Sequence, residues 1–231
     1  MLILNIDTAT EHASVCLSKD DRVLGLLQNP EQKNHAAFVQ PAIAELIAKT
    51  DHSLPDIDAV AVTIGPGSYT GLRVGLASAK GICFALNKPL ITIDTLKVMA
   101  RAAIDDHQKN AGQVDPGTLF CPLIDARRME VFTATYDPGL TEITKPHALI
   151  IEDDSFMTIY QHTPVVFSGS GHQKLREILT GHNIHYSAIQ HNASHLATLA
   201  RKAYTAGIFA DLAYSAPLYV KEFFDTSRRN S

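Results

Sequence analysis

The stretch IGPGSYTGLRVG, residues 64–75, follows the apolar run AVAVTI and precedes a segment with helical periodicity. Strand, glycine-rich turn and helix in this order are typical of an α/β protein. Such a connection presents backbone N–H groups and a helix N-terminus to an anion. The stretch therefore raises two alternatives, a turn that holds a phosphate or a turn whose helix meets another protein.

The common phosphate and nucleophile motifs are not met in this stretch. A P-loop has four residues between its glycines and then Lys-Ser or Lys-Thr, whereas five residues separate Gly65 from Gly71 and Leu-Arg follows. The dinucleotide fingerprint fails because three residues, not two, lie between Gly67 and Gly71. The hydrolase elbow G-x-S-x-G is absent around Ser68. What remains is a generic strand, turn and helix.

Small residues recur at intervals of four along the predicted helix, at Gly67, Gly71, Gly75 and Ala79. Glycine in a helix interior costs about 1 kcal/mol relative to alanine, so a series of glycines indicates close backbone approach. The face can pack on the protein's own sheet or against a helix of another chain. We predict a partner interface that combines this helix with the preceding one. Its predicted residues are His35, Val39, Ile43, Gly71, Leu72, Gly75, Ser78 and Ala79.

The rest of the chain predicts an α/β protein of two related lobes. The first half begins with three predicted strands, LILNIDTA, HASVCLSK and RVLGLLQ. They are followed by a helix over 34–49, the strand AVAVTI, a helix over 70–86, the strand PLITI and a helix from residue 95. The polar residues 105–118 predict a linker between domains 1–105 and 106–231. Ile124-Asp125 then echoes Ile6-Asp7, which hints at a duplication. Helices near 153–161, over 173–179 and after residue 194 surround the strand PVVFSG.

Composition narrows the class of protein. The 231 residues include 45% hydrophobic residues, enough for an ordinary core. The net charge of −4 lacks the cation excess of a protein that binds nucleic acid on its own, so contact with nucleic acid would be shared with a partner. Three widely spaced cysteines predict buried thiols in a reducing compartment. We find no apolar run long enough for a membrane span and no leader, and expect a cytoplasmic protein.

Strand-end acids and histidines are the remaining candidates for chemistry. Asp7 and Asp125 could hold a metal-nucleotide between two lobes, or could merely cap turns. His191 and His195 have the i, i+4 spacing of a metal pair. However, Ser194 is predicted as the N-cap of the following helix, which leaves His191 outside it. We interpret the histidine pair as a solvated helix entry.

Four stretches together resemble the TsaB family, also called YeaZ-like. They are LILNIDTATEHASVCL, DIDAVAVTIGPGSYTGLRVGLASAKGI, IDARRMEVFTATY and APLYV. The resemblance implies two ribonuclease H-like lobes of the actin, sugar kinase and Hsp70-like fold. It also implies a non-catalytic role in making threonylcarbamoyladenosine on tRNAs that read codons beginning with A. The implied partners are TsaD, the catalytic paralogue, in a heterodimer, the TsaE ATPase, a second copy when alone, and tRNA through the assembly.

The resemblance also bears on cofactors. TsaD-like chains carry two metal-binding histidines where this chain reads IDTLKVM, residues 93–99, so no metal site is expected. Nucleotide-binding relatives favour D-x-G-x-T after the first strand, whereas here Ala9 places a Cβ in that turn. We expect no catalytic residue and no tightly bound cofactor, with Asp7, Thr8 and Thr10 as edge contacts for ATP or ADP at an interface with partners. The alternative is an ATP-dependent kinase or ATPase of the same fold.

Overall fold

A computed structural model describes residues 1–29, 34–151, 163–176 and 178–221. The described chain forms two five-stranded mixed sheets. The first has the order β3-β2-β1-β4-β5 and consists of β1 Leu2–Asp7, β2 Ala13–Lys19, β3 Arg22–Asn29, β4 Ala59–Thr63 and β5 Leu90–Ile93. The second has the order β10-β9-β6-β7-β8 and consists of β6 Leu119–Asp125, β7 Glu130–Tyr136, β8 Glu142–Ile150, β9 Val165–Ser168 and β10 Ile184–Ser187.

The two sheets share one topology. Strand β1 is antiparallel to β2 and parallel to β4, and β6 is likewise antiparallel to β7 and parallel to β9. Asp7 and Asp125 end corresponding central strands, β1 and β6. The predicted α/β protein of two related lobes is therefore confirmed.

Helices connect the strands in both lobes, and their ends follow from local capping. They are α1 His35–Ala48, α2 Tyr69–Leu86, α3 Thr95–Ala111, α4 His172–Arg176 and α5 Ala193–Thr205. The Ser68 hydroxyl accepts a hydrogen bond from the Gly71 N–H at the start of α2. Helix α5 is capped by Asn192 and not by Ser194 as predicted, because the Asn192 side chain accepts from the Ser194 N–H. The helix predicted near 153–161 lies outside the described residues.

The predicted linker is shorter in the structure. Helix α3 continues to Ala111, so only the residues from 112 to 118 connect the sheets. The polar residues 105–111 form the last turns of α3, where Asp105 pairs with Arg101 one turn earlier. The boundary predicted between residues 105 and 106 therefore falls inside a helix, and the division into domains stays a prediction.

Helices α3 and α5 lie between the two sheets. Helix α3 packs on β6, β7 and β9 of the second sheet, and α5 packs on β1, β2 and β5 of the first. One apolar core includes residues of both sheets and of both helices, among them Ile3, Ile91, Met99, Phe120, Tyr136 and Leu196. Helices α1 and α2 pack against the first sheet in a separate core. The lobes are thus joined by a shared core as well as by the chain.

Residues 207–221, here named the C-terminal strap, run back along the first lobe. The Ala210 N–H donates to the Leu90 carbonyl at 2.8 Å, and the Leu218 N–H donates to the Ile64 carbonyl at 2.7 Å. The Lys80 ammonium on α2 donates to two strap carbonyls. At its end, Lys221 forms an ion pair with Glu130 of β7, with 2.7 Å between the atoms. The strap therefore ties both lobes together.

The three cysteines are free and buried, as predicted. Burial raises the pKa of the Cys16 thiol to about 12 and that of Cys83 to about 11. With pKa values this high, Cys16 and Cys83 are almost entirely protonated near neutral pH. They therefore act as apolar packing groups.

Candidate functional site

A cleft of about 1230 Å³ opens between the lobes. Its walls come from the segments that follow β1, β4, β6, β9 and β10, at residues 9–12, 67–70, 124–128, 169–176 and 187–191. All of these segments leave the carboxyl ends of strands, which is where open α/β sheets bind ligands. The cleft is therefore the candidate functional site.

Asp7 lies beneath the cleft and is fully buried. One carboxylate oxygen accepts hydrogen bonds from the Ala9 N–H at 3.1 Å and the Thr63 hydroxyl at 2.9 Å. The other lies 3.3 Å from Nε2 of His191. Thr8 is buried as well, and its hydroxyl donates to the Gly71 carbonyl at 2.7 Å. Asp7 and Thr8 do not line the cleft, whereas Thr10, the third nucleotide-edge candidate, does.

The interpretation of His191 as a solvated residue is wrong. Its side chain is buried against Asp7, because the segment before α5 is drawn onto the first sheet, where the Ala193 N–H donates to the Ser14 hydroxyl at 2.8 Å. Burial lowers the pKa of His191, and the carboxylate of Asp7 only partly opposes that shift. His195 accepts a hydrogen bond from the Asn192 N–H and caps the helix. Sequence reasoning missed the contact because it joins opposite ends of the chain.

Asp125, the counterpart of Asp7, is also paired within the chain. Its carboxylate lies 2.7 Å from the Lys174 ammonium and accepts from the Arg127 N–H at 2.6 Å. Partial burial would raise the pKa of Asp125, but the hydrogen bonds from Lys174 and Arg127 outweigh it and lower the pKa overall. Across the described residues, no three side chains of His, Cys, Asp or Glu meet in a group that could hold a metal ion.

The predicted partner interface needs a correction, because its small face packs on the chain's own first sheet. A Cβ at Gly71 would overlap the Thr8 carbonyl, and a Cβ at Gly75 would overlap the Thr8 hydroxyl. Val39, Ile43, Leu72 and Ala79 belong to the first lobe's buried core. His35 is also buried, and its Nε2–H donates to the Thr10 carbonyl at 2.9 Å. Only Ser78 of the predicted set is half-exposed.

The opposite side of the same two helices faces outward. It exposes mainly small and apolar residues, which we name the outer α1–α2 face: Ala37, Gln40, Ala44 and Ala48 of α1, with Ala77, Gly81, Phe84 and Ala85 of α2. Phe84 is 81% exposed. A Cβ at Gly81 would have no atom within 4 Å. A partner could therefore approach both helices closely without disturbing the core.

Comparisons with known proteins match most of the chain to the same group of proteins. Residues 23–222 match the family model of TsaD, tRNA N6-adenosine threonylcarbamoyltransferase. The tRNA threonylcarbamoyladenosine biosynthesis protein TsaB of Bacillus subtilis is 31% identical over 217 residues, which is 90% of each protein. TsaB of Escherichia coli is 37% identical over 136 residues, or 59% of this chain and 55% of that protein. The solved structure of YeaZ from Pseudomonas aeruginosa has the same fold, with a TM-score of 0.80 at 24% identity, and the match covers 94% of this chain and 99% of that one.

Proposed function

Because this chain belongs to the TsaB family, the YeaZ-like proteins of tRNA threonylcarbamoyladenosine biosynthesis, we propose that it is a non-catalytic subunit required for threonylcarbamoyl transfer. It acts as partner and scaffold of TsaD, the catalytic paralogue. The modified base is the adenosine next to the anticodon of tRNAs that read codons beginning with A. The modification takes place in the cytoplasm, where the TsaE ATPase joins the assembly.

The placement of the two strand-end acids is the observation that carries the non-catalytic role. A magnesium-nucleotide between the lobes would need free carboxylate oxygens as ligands for the metal. Asp7 is buried and does not line the cleft, and one of its oxygens already accepts hydrogen bonds from Ala9 and Thr63. One oxygen of Asp125 is taken by the Lys174 ammonium and the Arg127 N–H. The chain alone therefore binds no ATP or ADP tightly, and a nucleotide at its edge depends on residues that a partner supplies.

We place TsaD on the outer α1–α2 face, and a second copy of the chain takes the same face when TsaD is missing. Small residues there let helix axes approach within the usual 8–10 Å, and Phe84 supplies an exposed aromatic anchor. Transfer RNA is engaged through the resulting assembly.

An ATP-dependent kinase or ATPase of the same fold is the second candidate. It is favoured by the position of the cleft at the carboxyl ends of both central strands. Calorimetry of the isolated chain with magnesium-ATP separates the two, since we expect neither micromolar binding nor turnover. Micromolar ATP binding together with steady ATP hydrolysis would instead support the kinase or ATPase function.

The partner surface is tested with Gly81→Leu, mixed with purified TsaD and sized by chromatography with light scattering. Leucine at this open position leaves the fold intact but holds a partner helix away. We expect loss of the heterodimer and of the modified nucleoside in a reconstituted reaction. Ala111→Leu is the matched control, because it adds the same side chain to an exposed residue of α3. A Gly81→Leu chain that binds TsaD as the wild type does would place the interface elsewhere.

A further inference from the structure

Two adjacent arginines form the turn between β6 and β7 with left-handed backbone. Arg127 has φ 69° and Arg128 has φ 48°. Turns with two such residues favour Asn-Gly, because side chains with a bulky Cβ substituent rarely adopt this region. Unfavourable backbone of this kind is concentrated at functional sites. The side chains of Arg127 and Arg128 are both exposed, and both line the cleft.

The cleft carries more positive charge than the chain as a whole. Its lining holds four cations, Arg127, Arg128, Lys174 and Arg176, against the two carboxylates of Glu11 and Asp125. The chain in total carries −4. Lys174 neutralises Asp125, whereas no carboxylate pairs with Arg127 or Arg128 among the described residues. An anion entering the cleft would therefore meet two guanidinium groups that no carboxylate of the described residues neutralises.

The opposite wall offers an aromatic ring. Tyr69 lines the cleft and is 40% exposed. Its ring is held by the Arg73 guanidinium, 3.9 Å from the ring centroid, and by Tyr219, whose centroid is 5.5 Å away. Cations along a groove together with an ordered aromatic ring are the combination that binds single-stranded nucleic acid.

We propose that the cleft binds a single-stranded RNA segment, with phosphates on Arg127 and Arg128 and a base against Tyr69. This inference rests on the proposed function and deepens it, since the adenosine next to the anticodon lies in a single-stranded loop of the tRNA. The geometry favours RNA over a free nucleotide for two reasons. Asp7, which would hold magnesium, is buried and does not line the cleft, and one oxygen of Asp125 is already bonded to Lys174 and to the Arg127 N–H.

The test removes both guanidinium groups with the residues that the turn itself prefers, Arg127→Asn together with Arg128→Gly. Because Asn-Gly suits this backbone, the double variant should melt at or above the wild-type temperature. Binding of a fluorescent single-stranded RNA to the full chain is followed by anisotropy at several salt concentrations, alone and with TsaD. We expect affinity to fall about tenfold at low salt. The slope of log K against log salt should become shallower by about 1.4, since each phosphate contact on a single strand contributes ~0.7.

Two further variants separate charge from stacking. Tyr69→Leu should weaken binding about tenfold and leave the salt slope unchanged, because stacking releases no counterions. Lys109→Gln with Lys202→Gln removes two exposed cations outside the cleft and should change neither quantity. Equal RNA binding by the Asn-Gly variant and the wild type would overturn the proposal. It also fails if the wild type binds ATP or tripolyphosphate but no RNA, which would assign the arginines to a free nucleotide.

The same samples distinguish failure of this inference from failure of the proposed function. The Asn-Gly variant leaves the outer α1–α2 face intact, so it should still form the heterodimer with TsaD. A wild-type chain that joins TsaD and supports modification, yet binds no RNA in either state, refutes the inference alone. A wild-type chain that binds RNA but never joins TsaD refutes the scaffold role alone.

Discussion

Gly75 sets the distance between α2 and the first sheet. A side chain there would collide with Thr8, whose hydroxyl bonds to the Gly71 carbonyl. We expect Gly75→Leu to lower the free energy of unfolding by about 2 kcal/mol or more, from overpacking and the broken hydrogen bond. Urea unfolding measures the loss. Gly81→Leu, six residues further along α2 and open to solvent, should be neutral or gain most of a kcal/mol in helix propensity. Equal stability of the two variants would contradict the packing of α2 described above.

His191 makes the stability of the fold depend on pH. Burial lowers its pKa in the folded chain, so the unfolded chain, with a pKa of about 6.5, binds the proton more readily. Stability contributed by this group is present above pH ~6.5 and is lost as the pH falls. Asp94 acts in the opposite sense, because burial raises the pKa of its carboxyl to about 6 and its contribution is lost as the pH rises.

The variant His191→Asn separates these two groups. Urea unfolding of wild type and variant at pH about 7.5 and about 5.5 should show a smaller loss on acidification in the variant. The same loss in both proteins would mean that His191 is protonated equally in folded and unfolded chains.

At the residue scale, local signals could be read from the sequence and distant contacts could not. Three isolated cysteines in apolar surroundings indicated buried thiols, and the structure buries all three. The contact of Asp7 with His191 has no local pattern, because it forms only when the segment before α5 meets the first sheet.

At the scale of elements, the C-terminal strap is the one whose contribution can be removed cleanly. A chain that ends after Gly207 loses the bonds of Ala210 to Leu90, of Leu218 to Ile64 and of Lys80 to the strap. We expect a loss of about 2 kcal/mol, at ~1 kcal/mol for each backbone hydrogen bond, seen as a lower melting temperature. A chain that ends after Lys221 keeps all of these bonds and serves as the control. Equal melting temperatures would mean that the strap lies on the lobe without stabilising it.

The types of the elements could be predicted where the hydrophobic periodicity was strong. Two features, the end of α3 and the packing of α2, could not. The end of α3 read as a linker because residues 105–111 are mostly polar, yet they form the exposed end of a helix supported by the pair of Arg101 and Asp105. The small face of α2 was assigned to a partner, because sequence spacing shows that a backbone approaches closely but does not say which one. Here it is the chain's own β1 connection.

For the whole molecule, the shared core predicts cooperative unfolding of both lobes. Helices α3 and α5 join one apolar cluster that reaches from Ile3 of the first sheet to Phe120 of the second. We expect urea to release hydrogen-exchange protection of β4 and β9 in one transition, with the same midpoint. A chain that ends after Ala111 lacks α5 and should fail to fold. Two separate transitions would show that the lobes are independent.

The two-lobed plan could be inferred from the sequence, because strand patterns with helical segments between them occur in both halves. The placement of α3 and α5 could not. Both helices are amphipathic in an ordinary way, and nothing in their spacing says that a helix from each half will stand between the two sheets.

That placement has a consequence on the ribosome. The first sheet is complete once β5 has emerged, but α5, which covers it, ends roughly 110 residues later. At ~5–20 residues per second, translation leaves this apolar surface without its cover for on the order of ten seconds. We therefore expect the nascent chain to need protection by ribosome-bound chaperones, and slow codons between β5 and α5 would prolong the interval in which it can aggregate.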